Sequence, residues 1–216
     1  MNIESPVGAA PHKKGRGPTV TLRAATRKDS RRIHELIVAN LQEGHLLPRE
    51  LGELTIHAGR FSVATDGRGS IIACGELAPL SHSLAEVRSL VVSGRHRGAG
   101  VGQRLVDDLR HRARIAGYDM LCAFTHQPGY FARLGFSIVP HTWLPEKIFA
   151  DCQSCPVFRR CGQYAMLVPL GPGAGAGLGT LLEPLRQVRP AQLRSSELRR
   201  GSPKPSAKAA EHSLHV

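Results

Sequence analysis

The chain has 216 residues, a net charge of +12 and only 5% aromatic residues. That length suits one sizeable domain with extensions. The scarcity of aromatics among the basic residues argues against a stacking platform for single-stranded nucleic acid. No run approaches the ~18 apolar residues of a membrane span, and the opening "MNIESPVGAAPHKKGRGP" has no apolar leader core, which predicts a cytoplasmic protein.

In chain order, residues 1–18 mix Pro, Gly and Lys without periodicity and read as a flexible arm. A first strand is predicted over Thr19–Ala24. A helix follows with Ile33, Leu36, Ile37 and Leu41 on one face, and Thr26 and Asp29 are spaced for a capping box. The chain turns at Gly44, and Pro48 marks the start of a second short helix. "RFSVAT" and "SIIACGELAPL" flank the turn "DGRG" as a hairpin. "LAEVRSLVV" (Leu84–Val92) is a fourth strand, whose alternation would put Glu86, Arg88, Leu90 and Val92 on one side. Val101, Leu105, Leu109 and Ala113 then repeat at helical spacing. Asp119–Thr125 reads as a buried strand, "PGYFARLGF" as a short helix stopped by Gly135, and "FSIVP" and "YAMLVPL" as closing strands. Residues 171–216 are rich in Gly, Pro, Arg and Ser and carry seven Lys/Arg against three acids; they are expected to be a disordered basic tail that catalysis does not need. The folded unit is thus 19–170, of α/β (α+β) class with a mixed sheet flanked by helices.

Between the fourth strand and the long helix lies "SGRHRGAGVGQRL". It fails as a P-loop because Gln103 follows Gly102, and it fails as a dinucleotide fingerprint because its glycines are one residue too close. The physics of both motifs still applies. Glycines let successive N–H groups point into one concavity, the helix adds its positive dipole end, and Arg95 and Arg97 add full charges. A pyrophosphate site and a tight turn with solvated arginines are both compatible with that loop.

The neighbouring segments decide between them by resemblance. "Arg97-Gly98-Ala99-Gly100-Val101-Gly102" is similar to the signature loop of the GCN5-related N-acetyltransferases (the GNAT family), and "Leu90-Val91-Val92" resembles that family's fourth strand. "Tyr130-Phe131-Ala132-Arg133-Leu134-Gly135-Phe136" resembles its short helix ending in Gly-Phe. The order β-α-α-β-β-β-α-β-α-β-β fits the same fold, with a mostly antiparallel sheet. The resemblance implies that acetyl-coenzyme A is the co-substrate. It assigns the pantetheine and pyrophosphate to Leu90, Val92, Arg97, Gly98, Ala99, Gly100, Val101, Gly102 and Gln103.

A narrower resemblance, carried by Gly44–Arg49, Glu86–Leu90 and Leu144–Pro156, is to short, single-domain bacterial N-acetylglutamate synthases. It implies acetyl transfer to the α-amine of L-glutamate, the first step of arginine biosynthesis. Another amino acid or small amine is the sibling reading, and a basic nucleic-acid-binding protein is the reading from another class. The last is disfavoured because half of the excess charge sits in the two ends. The partners expected are glutamate and acetyl-coenzyme A, with a homodimer left open and no membrane.

Transfer from a thioester to an amine requires a free amine, close approach, oxyanion stabilisation and a proton for the thiolate. Glu86, an acid in an apolar strand, is the expected base; the alternative is an ion pair with Arg88 on an exposed face. The oxyanion donor implied by the family is a backbone N–H near Leu90–Val92. Family members that use a tyrosine acid carry it where this chain has Phe131, so Tyr130 stands one position early; Ser89 or water is the alternative donor. Arg49 and Arg88 are the expected carboxylate clamps, since arginine forks match carboxylates, with solvated surface arginines as the alternative. Lys147 is a third candidate, for which a surface position is preferred. Cys152, Cys155 and Cys161 form C-x2-C-x5-C. A structural zinc with His141 or Asp151 as fourth ligand, reduced thiols, and a redox-sensitive pair are the readings open there. Cys74 and Cys122 are expected in the core.

Overall fold

A computed structural model describes residues 20–43 and 46–171. The predicted arm and nearly all of the predicted tail lie outside the described residues, as do Thr19 and the turn at Gly44.

Strand β1 (Thr21–Ala24) leads through a short 3-10 turn into helix α1 (Ser30–Asn40). The turn is held by the expected acid: the Asp29 carboxylate accepts the Thr26 N–H and hydroxyl and grips Arg23 with both oxygens. That ion pair holds the Asp29 carboxyl well below the usual carboxylate range. Helix α2 spans Leu51–Ile56, so Pro48 precedes the helix rather than starting it.

Strands β2 (Phe61–Thr65), β3 (Ile71–Pro79) and β4 (Leu84–Val92) form an antiparallel meander. Helix α3 (Val101–Ile115) then carries the chain to β5 (Met120–Thr125), α4 (Pro128–Arg133), β6 (Ser137–Val139), α5 (Pro145–Lys147), a π-type turn at Ile148–Cys152, and β7 (Tyr164–Pro169). The strands make one sheet in the order β1-β2-β3-β4-β5-β7-β6. The pair β4–β5 alone is parallel, as a strand–helix–strand crossover requires.

Apolar side chains on both faces hold the sheet between helices. Leu105, Val106, Leu109 and Ala113 of α3 pack on Ala73, Leu77, Val87, Leu121 and Ala123. On the opposite face Ile33, Ile37 and Leu54 cover Phe61, Val63, Cys74 and Val91. Farther along, Leu144 seals Leu84, Cys122 and Leu167. Between these two clusters the same face carries Glu76, Glu86 and Arg88, two residues on from Cys74 and Leu84. Burying such charges is costly unless they are paired, and this gap is where the site lies.

The alternation expected for β4 breaks at one residue. Ser89 has φ of +51°, the only positive φ among the described non-glycine residues. Cys74 pairs with Val91 but Glu76 pairs with Arg88, so β4 carries one extra residue there. A bulge shifts the phase of every following side chain. Leu90 and Val92 therefore pack on the α3 face, whereas Glu86 and Arg88 look the other way. The four residues are not on one side.

Candidate active site

The parallel pairing of β4 with β5 runs from Leu84↔Met120 to Val87↔Ala123 and stops. Beyond it the strands part, and a cleft of about 950 Å³ opens between Arg88–Val92 and Phe124–Gln127. Its volume lies in the range of small-molecule sites. Strand edges that have parted leave backbone donors and acceptors open to a ligand.

One end of the cleft is the glycine loop. Gly98 and Gly100 have φ of +78° and +76°, the left-handed region that costs an L side chain about 1–2 kcal/mol. Gly100 caps α3, a helix of 15 residues whose free N–H groups and dipole favour an anion. Arg97, Gly98, Gly100, Val101, Gly102 and Gln103 border the cleft, as do Leu90 and Val92, while Ala99 does not. The Arg97 side chain folds back, donating to the Val92 carbonyl at 3.0 Å and the Asn40 side-chain oxygen at 2.7 Å.

Gly102 has a steric role. A Cβ there would come within 2.7 Å of the Tyr130 hydroxyl. That hydroxyl is buried and borders the cleft. Buried hydroxyls are normally satisfied, and this one has no hydrogen-bond partner among the described residues. Burial raises the Tyr130 phenol above its ordinary range, which keeps it protonated at neutral pH. Phe131, one step round the helix, goes instead into the core against Phe136. Both residues line the cleft, Tyr130 with its buried hydroxyl and Phe131 as part of the core wall.

The other end of the cleft is ionic. Arg49 forks onto Glu53 at 2.6 and 3.1 Å, and its third nitrogen donates to Glu76 and to the Ser89 hydroxyl, both at 2.9 Å. Arg88 and Lys147 both hold Glu86, with Lys147 Nζ 2.9 and 2.8 Å from its two oxygens. Both cations also bind Asp151, from the π-type turn. Lys147 lies 5.2 Å over the Phe124 ring.

All three expected clamps are therefore brought together, and Ser89 with them. Lys147, for which a surface position is the preferred expectation from sequence, is drawn inward to Glu86, 61 residues away. Glu86 does pair with Arg88, the alternative to a base. It is 3% exposed, and its oxygens are taken up by two cations. It is paired with Arg88 and Lys147 where it lines the cleft, and that pairing is not on an exposed face. Sequence reading missed Glu53 and Glu76, and named Asp151 only as a candidate zinc ligand. Two of these were detectable, since Glu53 and Asp151 stand four residues after Arg49 and Lys147, the spacing of helical ion pairs.

The zinc expectation is also corrected. Among the described residues no group of three or more His, Cys, Asp or Glu side chains is arranged to hold a metal ion. Asp151 is committed to Arg88 and Lys147, and the His141 ring packs on Phe124. All five cysteines are free thiols. Cys74 and Cys122 are buried as expected, and burial pushes the Cys74 thiol up to about 12. In native protein an alkylating reagent is expected to modify Cys152, Cys155 and Cys161 and to spare the other two. Intact-mass counting checks this; labelling of the three that appears only after a chelator is added would restore the metal.

A strand pair parted beside a glycine-capped helix, with an unpartnered tyrosine at the junction, is the architecture of a coenzyme A-dependent acyltransferase. The comparisons agree. The acetyltransferase (GNAT) domain matches residues 57–138. An uncharacterized N-acetyltransferase of Chlorobaculum tepidum is 31% identical over 149 residues, covering 69% of this chain and 96% of the relative. The chain belongs to the GNAT acetyltransferase family. An amino-acid acetyltransferase of Mycobacterium tuberculosis is 31% identical over 112 residues, but the match spans only 64% of that protein. Among solved structures, N-acetylglutamate synthase from Neisseria gonorrhoeae, complexed with coenzyme A and N-acetyl-glutamate, superposes with a TM-score of 0.64 at 26% identity. That match covers 73% of this chain and 36% of the Neisseria chain. Among the described residues no helix is long and apolar enough to cross a membrane.

Proposed function

We infer that this enzyme moves the acetyl group of acetyl-coenzyme A to the α-amine of an amino acid, with L-glutamate as the acceptor and N-acetylglutamate, a precursor of arginine, as the product. The observation that carries the acceptor class is the convergence of Arg49, Arg88 and Lys147, from three separate segments, on one end of the cleft. The names of the relatives support the same class. A cytoplasmic location belongs to this reading.

In the proposed reaction the pyrophosphate rests on the Arg97–Gly102 loop and the α3 N-terminus, and the pantetheine arm lies along the open edge of β4. The cations hold the amino acid by its carboxylates. Its free amine attacks the thioester carbonyl, and backbone N–H groups near Leu90–Val92 stabilise the oxyanion. The C–N bond forms, the C–S bond breaks, and the Tyr130 hydroxyl donates its proton to the departing thiolate; the attacking nitrogen sheds its extra proton to solvent as the amide forms, and solvent returns a proton to the phenolate. With Glu86 committed to two cations, the ammonium loses its proton to solvent before attack.

The test is thiol release from acetyl-coenzyme A against a panel of amino acids and simple amines. Glutamate is expected to give the highest kcat/KM. A neutral amino acid or a plain amine outrunning glutamate would overturn the acceptor and leave the family untouched.

A further inference from the structure

The ionic end of the cleft poses a problem for a dicarboxylate. It holds three cations, Arg49, Arg88 and Lys147, against four carboxylates, Glu53, Glu76, Glu86 and Asp151. No positive charge in this group is left over. An acidic substrate would meet cations that are already neutralised.

The carboxylates are of two kinds, distributed evenly. Glu76 and Glu86 have side chains 1% and 4% exposed. They are buried on the sheet strands β3 and β4, although Glu86 also lines the cleft. Glu53 and Asp151 have side chains 40% and 37% exposed and border the cleft. Arg49 has one of each kind, Glu76 beneath and Glu53 above. Arg88 and Lys147 share one of each kind, Glu86 beneath and Asp151 above. Each cationic site thus has a permanent counterion below and a carboxylate on its open side, where a substrate carboxylate would lie.

We propose that Glu53 and Asp151 are stand-ins for the two carboxylates of a dicarboxylic amino acid, which displaces them from Arg49 and from Arg88 with Lys147 as it binds. The exchange rests on the acceptor reading above and deepens it. It conserves ion pairs: each leaving side chain passes into water, and each incoming carboxylate takes over the donors it vacates. Glu53 and Asp151 can turn into water, while the largely buried Arg49 and Lys147 keep a carboxylate partner throughout the exchange, so no buried cation is left unpaired. A substrate with one carboxylate fills one place and leaves the other stand-in seated. The two sites lie within electrostatic reach, since Arg88 as well as Arg49 holds the Glu53 carboxyl below its usual range.

Calorimetry on the unaltered full chain saturated with coenzyme A tests this without relying on any variant. Glutarate, a dicarboxylate without an amine, is expected to bind at least about tenfold more tightly than butyrate, which offers one carboxylate. Equal binding would overturn the proposal, and this arm decides even if glutamate proves not to be acetylated. The second arm uses Glu53→Gln and Asp151→Asn. Removing a competitor is expected to lower KM for glutamate about two- to fivefold in each. Ordinary structural ion pairs predict the opposite, a KM for glutamate that is unchanged or raised in both variants, and that result sinks the exchange.

Discussion

Gly100→Asp is expected to abolish acetyl-coenzyme A binding while leaving a folded protein. Gly100 sits at φ of +76° with nothing within 4 Å of a Cβ built there. Asp is among the residues that best tolerate the left-handed region, and it is favoured at helix N-termini. The fold therefore accepts it. The ligand does not, because the new carboxylate would occupy the N–H donors proposed for the pyrophosphate and stand close to its charge. Two like charges about 4 Å apart near a protein surface repel by about 4 kcal/mol, close to a thousandfold in Kd. Gly100→Asn has nearly the same shape without the charge and should keep most of the affinity. Calorimetry on both variants, with circular dichroism to confirm folding, separates charge from shape. Undiminished binding by folded Gly100→Asp would take the loop out of the coenzyme A site.

Glu86→Gln is the second large effect, and it decides what Glu86 does. As a buried counterion to Arg88 and Lys147, its loss leaves two cations facing a neutral amide. Breaking a buried pair from one side costs about 3–5 kcal/mol. The lower end is expected, because a quarter of the Arg88 side chain reaches solvent and Asp151 stays with both cations. Denaturant unfolding reads that loss directly. A base would behave differently: kcat would fall by about 10²–10⁴ with stability intact. The pH profile gives an independent readout. If the ammonium loses its proton to solvent, kcat/KM for the acceptor climbs with pH toward the amine's own pKa in both proteins. A limb at lower pH that vanishes in Glu86→Gln would return Glu86 to the role of base.

Much of this molecule is legible in one dimension. Leu84–Val92 is a strand from its residue types alone, and its bounds coincide with β4. The spacing of Val101, Leu105, Leu109 and Ala113 marks the buried stripe of α3. Gly98 and Gly100 announce a loop with left-handed residues. These features depend on residues within a turn or two of one another, and short-range sterics and periodicity set them before anything packs.

The site's charges were decided differently. Sequence identified Arg49, Arg88, Lys147 and Glu86 as residues of consequence, but it could not say who pairs with whom. That depends on distances across 27, 61 and 63 residues, from Arg49 to Glu76, Lys147 to Glu86 and Arg88 to Asp151. The bulge at Ser89 was equally out of reach. A single inserted residue is compatible with the same alternating string, and only pairing with β3 reveals that Leu90 and Val92 have changed sides. Local chemistry in the sequence determined the strands, the helices and the glycine loop before α3. Only the tertiary structure decided which carboxylates are buried under the cations and which stand in the open. Coulombic partners are chosen by proximity and burial, and both come into being when the sheet, α2 and the turn after α5 close around one cleft.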